Sequence, residues 1–393
     1  MKSVSVSIVL PCLNEAGSVD LVVRQGLAAL AEAGLEGEVI VADNGSTDGS
    51  QELARAAGAR VVDVPMRGYG AAIAGGIAEA RGDICVMGDA DATYPFELLT
   101  TLTEPVARGE ADMVVGSRWV DTNRKTMPFL HRFVGTPVIS WLVRRAGGPS
   151  GLTDSQSGFR AFGRRAMLDL GLQTTGMEYA SEMLIVAGRA GWRIQELPTG
   201  YRERIGESKL DTFRDGWRHL RTILLLAPHL AATLPGTMLT AAGAAAFAWS
   251  LIDVSVVRLG SPVWLATFLG PLALVIGLQG VLIGFLLAAW SPLGGSAGRD
   301  TGGETRHAAV RRLLTSLGIG GAWALGAGLI VCAALFASWA LALPIPFRGN
   351  QIAMIALVLV LTGATTIGDA VIGHLLIEGA APKAVIARLK KAA

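Results

Sequence analysis

Residues Ile84-Cys85-Val86-Met87-Gly88-Asp89-Ala90-Asp91 decide how the first half of this chain folds. The apolar run is too short for a helix and is bounded by glycine and aspartate, so it predicts a strand buried on both faces. Comparable runs ending in turn chemistry occur at 8–10, 39–42, 61–64 and 113–115, with helical patterns at 19–33 and 50–57. Strands alternating with helices imply an α/β fold with a mainly parallel, Rossmann-like sheet. In such sheets ligands gather beyond the carboxyl ends of the strands. The residues just after each run therefore matter most, and they are polar and acidic.

Asp89 and Asp91 stand two residues apart where the buried run ends. Carboxylates so placed repel each other unless a cation lies between them. Hard divalent ions take oxygen ligands, and Mg²⁺ commonly uses one or two carboxylates together with substrate phosphates. A solvated turn would also tolerate Asp-x-Asp; the buried strand before it favours the ion. Pro11-Cys12-Leu13-Asn14-Glu15 follows the first run, and Asp43-Asn44-Gly45-Ser46-Thr47-Asp48-Gly49-Ser50 follows the second. A turn and a helix cap at 46–48 explain the Ser, Thr and Gly of the latter, but not the Asp43 that ends the run. Arg67-Gly68-Tyr69-Gly70 after the third run is a weak phosphate signal by itself.

The 393 residues are 51% hydrophobic and only 17% charged, with a mean hydropathy of +0.47. Soluble domains carry about 25% charged residues, so both disorder and a wholly soluble protein are excluded. Residues 222–393 hold ten of the 34 Lys/Arg and five of the 32 Asp/Glu, which divides the chain into a charged first part and an apolar second part. Cys12, Cys85 and Cys332 match no metal or redox spacing and read as buried thiols in a reducing compartment. The opening residues alternate with a period of two, which predicts a strand rather than a signal segment.

Uncharged runs predict membrane spans near 230–252, 263–289, 314–341 and 352–377, each about the 20 residues that a bilayer core needs. Arg258 and Arg348 stand alone in the first and third loops. Arg299, Arg306, Arg311 and Arg312 crowd the second, and Lys383, Arg388, Lys390 and Lys391 the tail. This alternation places the N-terminal domain, the second loop and the tail on the cytoplasmic side. Asp369 and His374 fall inside the last span, either on a substrate pathway or facing neighbouring helices.

Before the first span, Phe213, Trp217, Leu220 and Leu224 recur at helical spacing, with Arg214, Arg218 and Arg221 on an adjoining face. That pattern predicts an interfacial helix with a basic side for lipid headgroups. Residues 128–145 mix Phe129, Phe133 and Trp141 with His131, Arg132, Arg144 and Arg145, and read equally well as a second such helix or an ordinary domain helix. The expected organisation is a catalytic domain at 1–209, an interfacial helix at 210–227, four membrane helices within 228–379 and a basic tail at 380–393.

Pro11-x-x-Asn14-Glu15, the 43–50 segment, Arg67-Gly68-Tyr69-Gly70, Asp89-Ala90-Asp91, Gly116-Ser117-Arg118, Asp154-Ser155-Gln156-Ser157-Gly158-Phe159-Arg160 and Gly206-Glu207-Ser208-Lys209-Leu210 occur in that order. Together they resemble glycosyltransferase family 2 with the GT-A fold, over roughly residues 4–221. More narrowly they are similar to the polyprenyl-phosphate hexose synthases, meaning dolichyl-phosphate mannose or glucose synthases and their bacterial relatives. The resemblance implies that Pro11, Glu15 and Asp43 hold the nucleoside, with Arg67, Gly68 and Gly70 also at the nucleotide. It implies that Asp89 and Asp91 carry Mg²⁺ or Mn²⁺ at the donor diphosphate, and that Arg204 and Lys209 meet that diphosphate as it leaves. Arg118 and Arg132 match residues that receive the lipid phosphate, and Gln156 and Glu178 fall on the sugar side. Some relatives place Gln two residues past the second aspartate as a further metal ligand; here that position is Thr93, a weaker ligand that water can replace.

The expected reaction is inverting transfer of a hexose from UDP-glucose, or next GDP-mannose, to polyprenyl phosphate, with a uronic acid donor left open. Nucleotide sugar, polyprenyl phosphate and the membrane are the expected partners; nucleic acid is not, and a homo-oligomer is left open. A processive polysaccharide synthase would add a Gln-x-x-Arg-Trp motif, which is absent from the sequence. A nucleotide-binding flippase or scaffold is the remaining alternative, and it does not account for Asp89, Asp91, Arg204 and Lys209 occurring together.

Overall fold

The structure, a computed structural model, describes residues 5–119, 131–206, 212–252, 262–290, 303–341 and 349–392. These form two compact units, one through Leu226 and one from Ala227 onward. The first unit alternates strands and helices: β1 (Val6–Cys12), α1 (Val19–Glu32), β2 (Gly37–Asp43), α2 (Ser50–Ala56), β3 (Arg60–Asp63), α3 (Tyr69–Glu79), β4 (Ile84–Met87), α4 (Leu99–Ala107) and β5 (Met113–Ser117). It continues through α5 (Thr136–Arg145), β6 (Arg160–Gly163), α6 (Arg164–Asp169), α7 (Tyr179–Arg189), β7 (Ile194–Pro198) and α8 (Thr212–Leu226).

One seven-stranded sheet runs in the order β3-β2-β1-β4-β6-β5-β7. Residues 84–87 are buried throughout, as a strand covered on both faces requires. β1 pairs in parallel with β2 and β4, and β5 with β7, whereas β6 is antiparallel to both β4 and β5. The sequence does not announce β6, because Arg160-Ala161-Phe162-Gly163 opens on a charged residue and is short. Its direction matters for the site. A parallel strand delivers the loop that follows it to the carboxyl edge of the sheet; an antiparallel one delivers the loop that precedes it. Arg160 pairs with Met87, so the 154–159 segment lies against the end of β4.

Arg160 also holds that segment in place. It is fully buried, and its guanidinium donates to the backbone carbonyls of Ser155, Ser157 and Ala180. Burial lowers its pKa to about 10, so the cation is sustained by carbonyl dipoles and ties the loop to α7. Glu182 of α7 is fully buried. It accepts from Gln173 N, Thr174 N and the Thr174 hydroxyl at 2.5–2.9 Å, and so anchors the chain leading into the helix.

α8 buries Asp215, His219, Ile223 and Leu226, which lie along one helical face. The opposite side stays out: Trp217 is 64% exposed and Leu225 56%. Ser181 Oγ and His219 Nδ1 meet at 2.8 Å, pinning α8 to α7. In the 128–145 stretch, which read equally as a second interfacial helix or an ordinary domain helix and of which 128–130 lie outside the described residues, α5 exposes Val138 and Trp141 while burying Thr136, Ser140 and Val143. Arg145 stacks on Trp141 at 5.5 Å.

The second unit comprises α9 (Leu234–Ile252), α10 (Pro262–Trp290), α11 (Gly303–Ala340) and α12 (Gly349–Ala392). Four segments are long and apolar enough to cross a membrane, namely His229–Ile252, Ala266–Ala288, Arg311–Ser338 and Ile352–His374, where the charge-free runs lie. Small residues bring these helices together: a Cβ added to Gly236 would lie 2.6 Å from the Gly277 carbonyl oxygen. Gln279 donates to Thr365 at 2.5 Å, and Thr315 Oγ1 meets His374 Nε2 at 3.3 Å. Asp369 Oδ2 is buried without a hydrogen-bond partner among the described residues. Cys12 and Cys85 are buried as expected, whereas Cys332 is exposed, on the outside of a helix of this unit.

Burial lowers the His219 pKa from 6.5 to about 4, against the opposing pull of Glu178 and Asp215. Undocked α8 therefore takes up a proton between those values that docked α8 refuses, and docking weakens as pH falls from about 6.5 to about 4. Hydrogen exchange of α8 amides, corrected for intrinsic rates, should show protection dropping across this window. His219→Gln, which keeps a partner for Ser181 but cannot titrate, should flatten that dependence.

Candidate active site

The loops after β1 and β2 are laced together by their polar residues. Asn14, at φ +55, accepts from Thr47 N at 2.8 Å, and Ser46 Oγ accepts from Asn14 N at 2.9 Å. Asp48 accepts from Ala16 N and Ser50 N at 3.0 and 3.1 Å. The Asp43 carboxylate closes its own turn, accepting from Gly45 N, Ser46 N and Gln51 Nε2 at 2.7–3.0 Å. These bonds hold its pKa low despite the opposing effect of burial. Much of the polarity in these motifs therefore shapes loops.

The Gly-rich turn has a packing role as well. Gly70 N donates to the Gly176 carbonyl at 3.2 Å and Ala71 N to that of Thr175 at 3.0 Å, so the first turn of α3 is capped by the chain entering α7. A Cβ on Gly70 would lie 2.5 Å from Tyr179 Cβ, and one on Gly68, at φ +131, would lie 2.1 Å from the Thr175 carbonyl oxygen. Glycine is required there for close approach.

Beyond the carboxyl edge of the sheet lies a cavity of about 400 Å³, within the usual range for small-molecule sites. Its wall includes Pro11, Glu15, Arg67 and Gly68 at the loops after β1 and β3, and Asp89 and Asp91 after β4. Arg118, Gln156 and Arg204 line it too, as do Arg214 and Arg218 of α8. Asn44 is on this wall; its neighbour Asp43 and the packed Gly70 are not. Lys209 lies outside the described residues.

Asp89 lines the cavity half-buried, beside the buried Asp91. Burial and the charge of Asp91 raise its pKa to about 7, even though Tyr69 donates to its Oδ1 at 3.0 Å. Thr93 donates to Asp91 Oδ1 from its N–H at 3.2 Å and its hydroxyl at 2.6 Å. It thus orients Asp91, and its proton points at a carboxylate. Arg204 Nη2 lies 3.2 Å from Asp91 Oδ2 and 3.5 Å from Glu15 Oε1. Arg204 Nε is buried with no hydrogen-bond partner among the described residues, a strong donor suited to an anion.

Among the described residues no three His, Cys, Asp or Glu side chains converge as a metal cage. Two acidic groups on one strand tip, one of them reluctant to ionise beside the other, nonetheless suit a hard divalent ion that takes its remaining ligands from phosphate and water.

Arg118 donates from Nε and Nη2 to Asp154 at 2.8 Å each, a two-pronged pair that is almost entirely buried. Burial works against the Arg118 charge, but Asp154 more than offsets it and raises the pKa. The guanidinium also lies over the Tyr201 ring, 5.4 Å from its centroid. Arg132 stacks on Phe133 at 5.5 Å and is not on the cavity wall. Gln156 Nε2 donates to Ser155 and Ser181 hydroxyls at 3.1 and 3.2 Å. Glu178 is the residue preceding α7 and is not on the cavity wall; its Oε2 is buried without a hydrogen-bond partner among the described residues.

Sequence reasoning did not single out Tyr69, Tyr94 or Tyr201. Tyr94 accepts from Gly158 N at 2.7 Å and stacks on Phe159 with centroids 5.2 Å apart, fixing the antiparallel loop against Asp89. The available hint was an aromatic residue three positions past Asp91 in an otherwise polar segment.

Residues 7–171 match the family described as glycosyl transferase family 2. The chain is 37% identical over 312 residues to the low-salt glycan biosynthesis hexosyltransferase Agl6 of Haloferax volcanii, covering 78% of this chain and 74% of that protein. It is 36% identical over 180 residues to the dolichyl-phosphate hexose transferase of the same organism, covering 46% of this chain and 76% of the relative. A solved glucosyl-3-phosphoglycerate synthase from Mycobacterium tuberculosis, bound to Mn²⁺ and UDP-glucose, aligns with 57% of this chain and 78% of its own. Its 25% identity and TM-score of 0.44 make it too distant to bear on ligands here. With the acidic strand tip and the GT-A-like sheet, the extent of the match to the hexosyltransferase establishes that the chain belongs to glycosyl transferase family 2.

Proposed function

We propose that this glycosyltransferase moves a hexose from a nucleoside diphosphate sugar to polyprenyl phosphate, with inversion at the anomeric carbon. The observation that carries the reading is the pairing of Asp89 and Asp91 with Arg204, whose buried Nε lacks a partner among the described residues, in one cavity. Support for a lipid acceptor comes from the four membrane-length helices and from the relative named as a dolichyl-phosphate hexose transferase.

Asp89 and Asp91 would hold Mg²⁺ or Mn²⁺, which when bound supplies Lewis-acid stabilisation to the departing diphosphate. Thr93 and Tyr69 fix the two carboxylates, so the ligand geometry is set before substrate arrives. Arg204 is placed to donate to the diphosphate as its negative charge grows, and Lys209 is assigned the same role. Pro11, Glu15, Asn44 and Arg67 form the nucleoside side and Gln156 the sugar side, whereas Glu178 is not on the cavity wall.

The acceptor phosphate is already anionic near neutral pH, so it needs orientation and neutralisation more than a strong base. A phosphate oxygen forms the bond to sugar C1 as the bond from C1 to the diphosphate oxygen breaks; the products are polyprenyl-phosphate hexose and nucleoside diphosphate. Arg118 adds positive charge on the acceptor side, moderated by Asp154. UDP-glucose is the first donor to test and GDP-mannose the second.

In a radiolabel assay of the full-length protein with UDP- and GDP-hexoses and a short polyprenyl phosphate, one hexose should appear on the lipid, dependent on Mg²⁺ or Mn²⁺ and abolished by EDTA. Asp91→Ala should remove turnover, and Arg204→Gln should lower kcat by about 10²–10³, as loss of a donor to a developing anion does. Undiminished turnover in Asp91→Ala would overturn the metal assignment. Polymeric product would instead favour a polysaccharide synthase, and nucleotide binding without transfer a flippase or scaffold.

The Lys/Arg distribution supports a cytoplasmic catalytic unit, second loop and tail. Alkaline phosphatase fused after Arg258 or Arg348 should be active, and the same reporter after Arg312 or the last residue inactive. The opposite pattern would reverse the topology.

A further inference from the structure

We infer that Arg214 and Arg218 of α8 form the part of the cavity that binds the acceptor's phosphate monoester, an inference that rests on the proposed reaction. Both line the same cavity as Asp89, Asp91 and Arg204. They are one helical turn apart, so their guanidinium groups share a face. Two such forks match the oxygens of a terminal phosphate.

The charges around the cavity favour this end for a second anion. Arg204 faces Asp91 and Glu15, and Arg118 is held in its two-pronged pair with Asp154. Arg67 donates to the carbonyls of Asn44 and Gly45. Among the described residues of the α8 wall two arginines accompany one carboxylate, Asp215, 3.8 Å from Arg218. Those described residues carry net positive charge. Arg214 is exposed and the Arg218 side chain is 51% exposed, so a phosphate arriving from outside can reach both. The buried face of α8, fixed by His219 on Ser181, presents them from a rigid element.

The same helix offers a track for what the phosphate is attached to. Trp217 lies between the two arginines in sequence and is largely exposed, and half-buried Leu220 and Leu224 continue its stripe along the helix. A phosphate headgroup at Arg214 and Arg218 with an isoprenoid along that stripe uses both properties of α8. Arg132, which the family resemblance offered for this role, is not on the cavity wall.

The test compares wild type, Arg214→Gln/Arg218→Gln and Arg214→Lys/Arg218→Lys in the full-length protein. The Gln pair should raise KM for a short polyprenyl phosphate about ten- to hundred-fold, leave the Kd for nucleoside diphosphate at the wild-type value, and be partly rescued by the Lys pair. Direct binding of farnesyl phosphate and of inorganic phosphate, read without turnover, should weaken together in the Gln pair. Loss of lipid binding with inorganic phosphate unaffected would assign the arginines to membrane attachment and overturn the inference. An unchanged KM, or an equal loss of nucleoside diphosphate affinity, would also overturn it. If wild type transfers no hexose, weakened phosphate binding in the Gln pair still supports the site, and only the proposed reaction falls.

Discussion

Asp89 and Asp91 cannot comfortably both be ionised where the fold puts them. They follow a fully buried strand, and Asp89 is reluctant to ionise because desolvation and the charge of Asp91 both disfavour its carboxylate. Relief comes from positive charge or from donors aimed at the pair. Tyr69, Thr93 and Arg204 each supply a donor. None supplies the compact divalent charge that lets two carboxylates share one point. A site with this imbalance is suited to a cation that arrives with its own anionic cargo.

The surrounding architecture serves that point. Placing β6 antiparallel in a mostly parallel sheet turns the 154–159 loop toward the end of β4, and Arg160 locks it there through backbone carbonyls and the Met183 sulfur. Glycines at 68 and 70 allow α3 and the approach to α7 to meet at backbone distance, which brings Tyr69 over Asp89. The cations on the wall are oriented by internal partners, Arg118 by Asp154 and Arg204 by Glu15 and Asp91. Pre-set dipoles and charges need no rearrangement when a diphosphate departs, which is how such sites lower barriers.

Sequence reading reached the α/β layout, the acidic strand tip and the four apolar helices because each rests on local pattern: buried runs, turn chemistry and charge-free length. It did not reach β6, whose identity depends on pairing with two distant strands and not on its own four residues. The glycines of 67–70 were ambiguous, since a phosphate cradle and a tight helix contact demand the same residue; only the distance to Tyr179 separates them. Asp43 looks like a site carboxylate on paper, yet its oxygens close a turn. The stripe of α8 was visible, but which face would be buried was not, because His219 and Asp215 do not read as core residues in isolation.

The central claim, that Asp89 and Asp91 together hold a divalent ion at the donor diphosphate, is most directly tested by electron paramagnetic resonance of Mn²⁺ titrated into the full-length protein with nucleoside diphosphate. The account predicts one bound Mn²⁺ per chain that depends on the diphosphate and is lost in both Asp89→Asn and Asp91→Asn. Equal Mn²⁺ binding by wild type and both variants would contradict it.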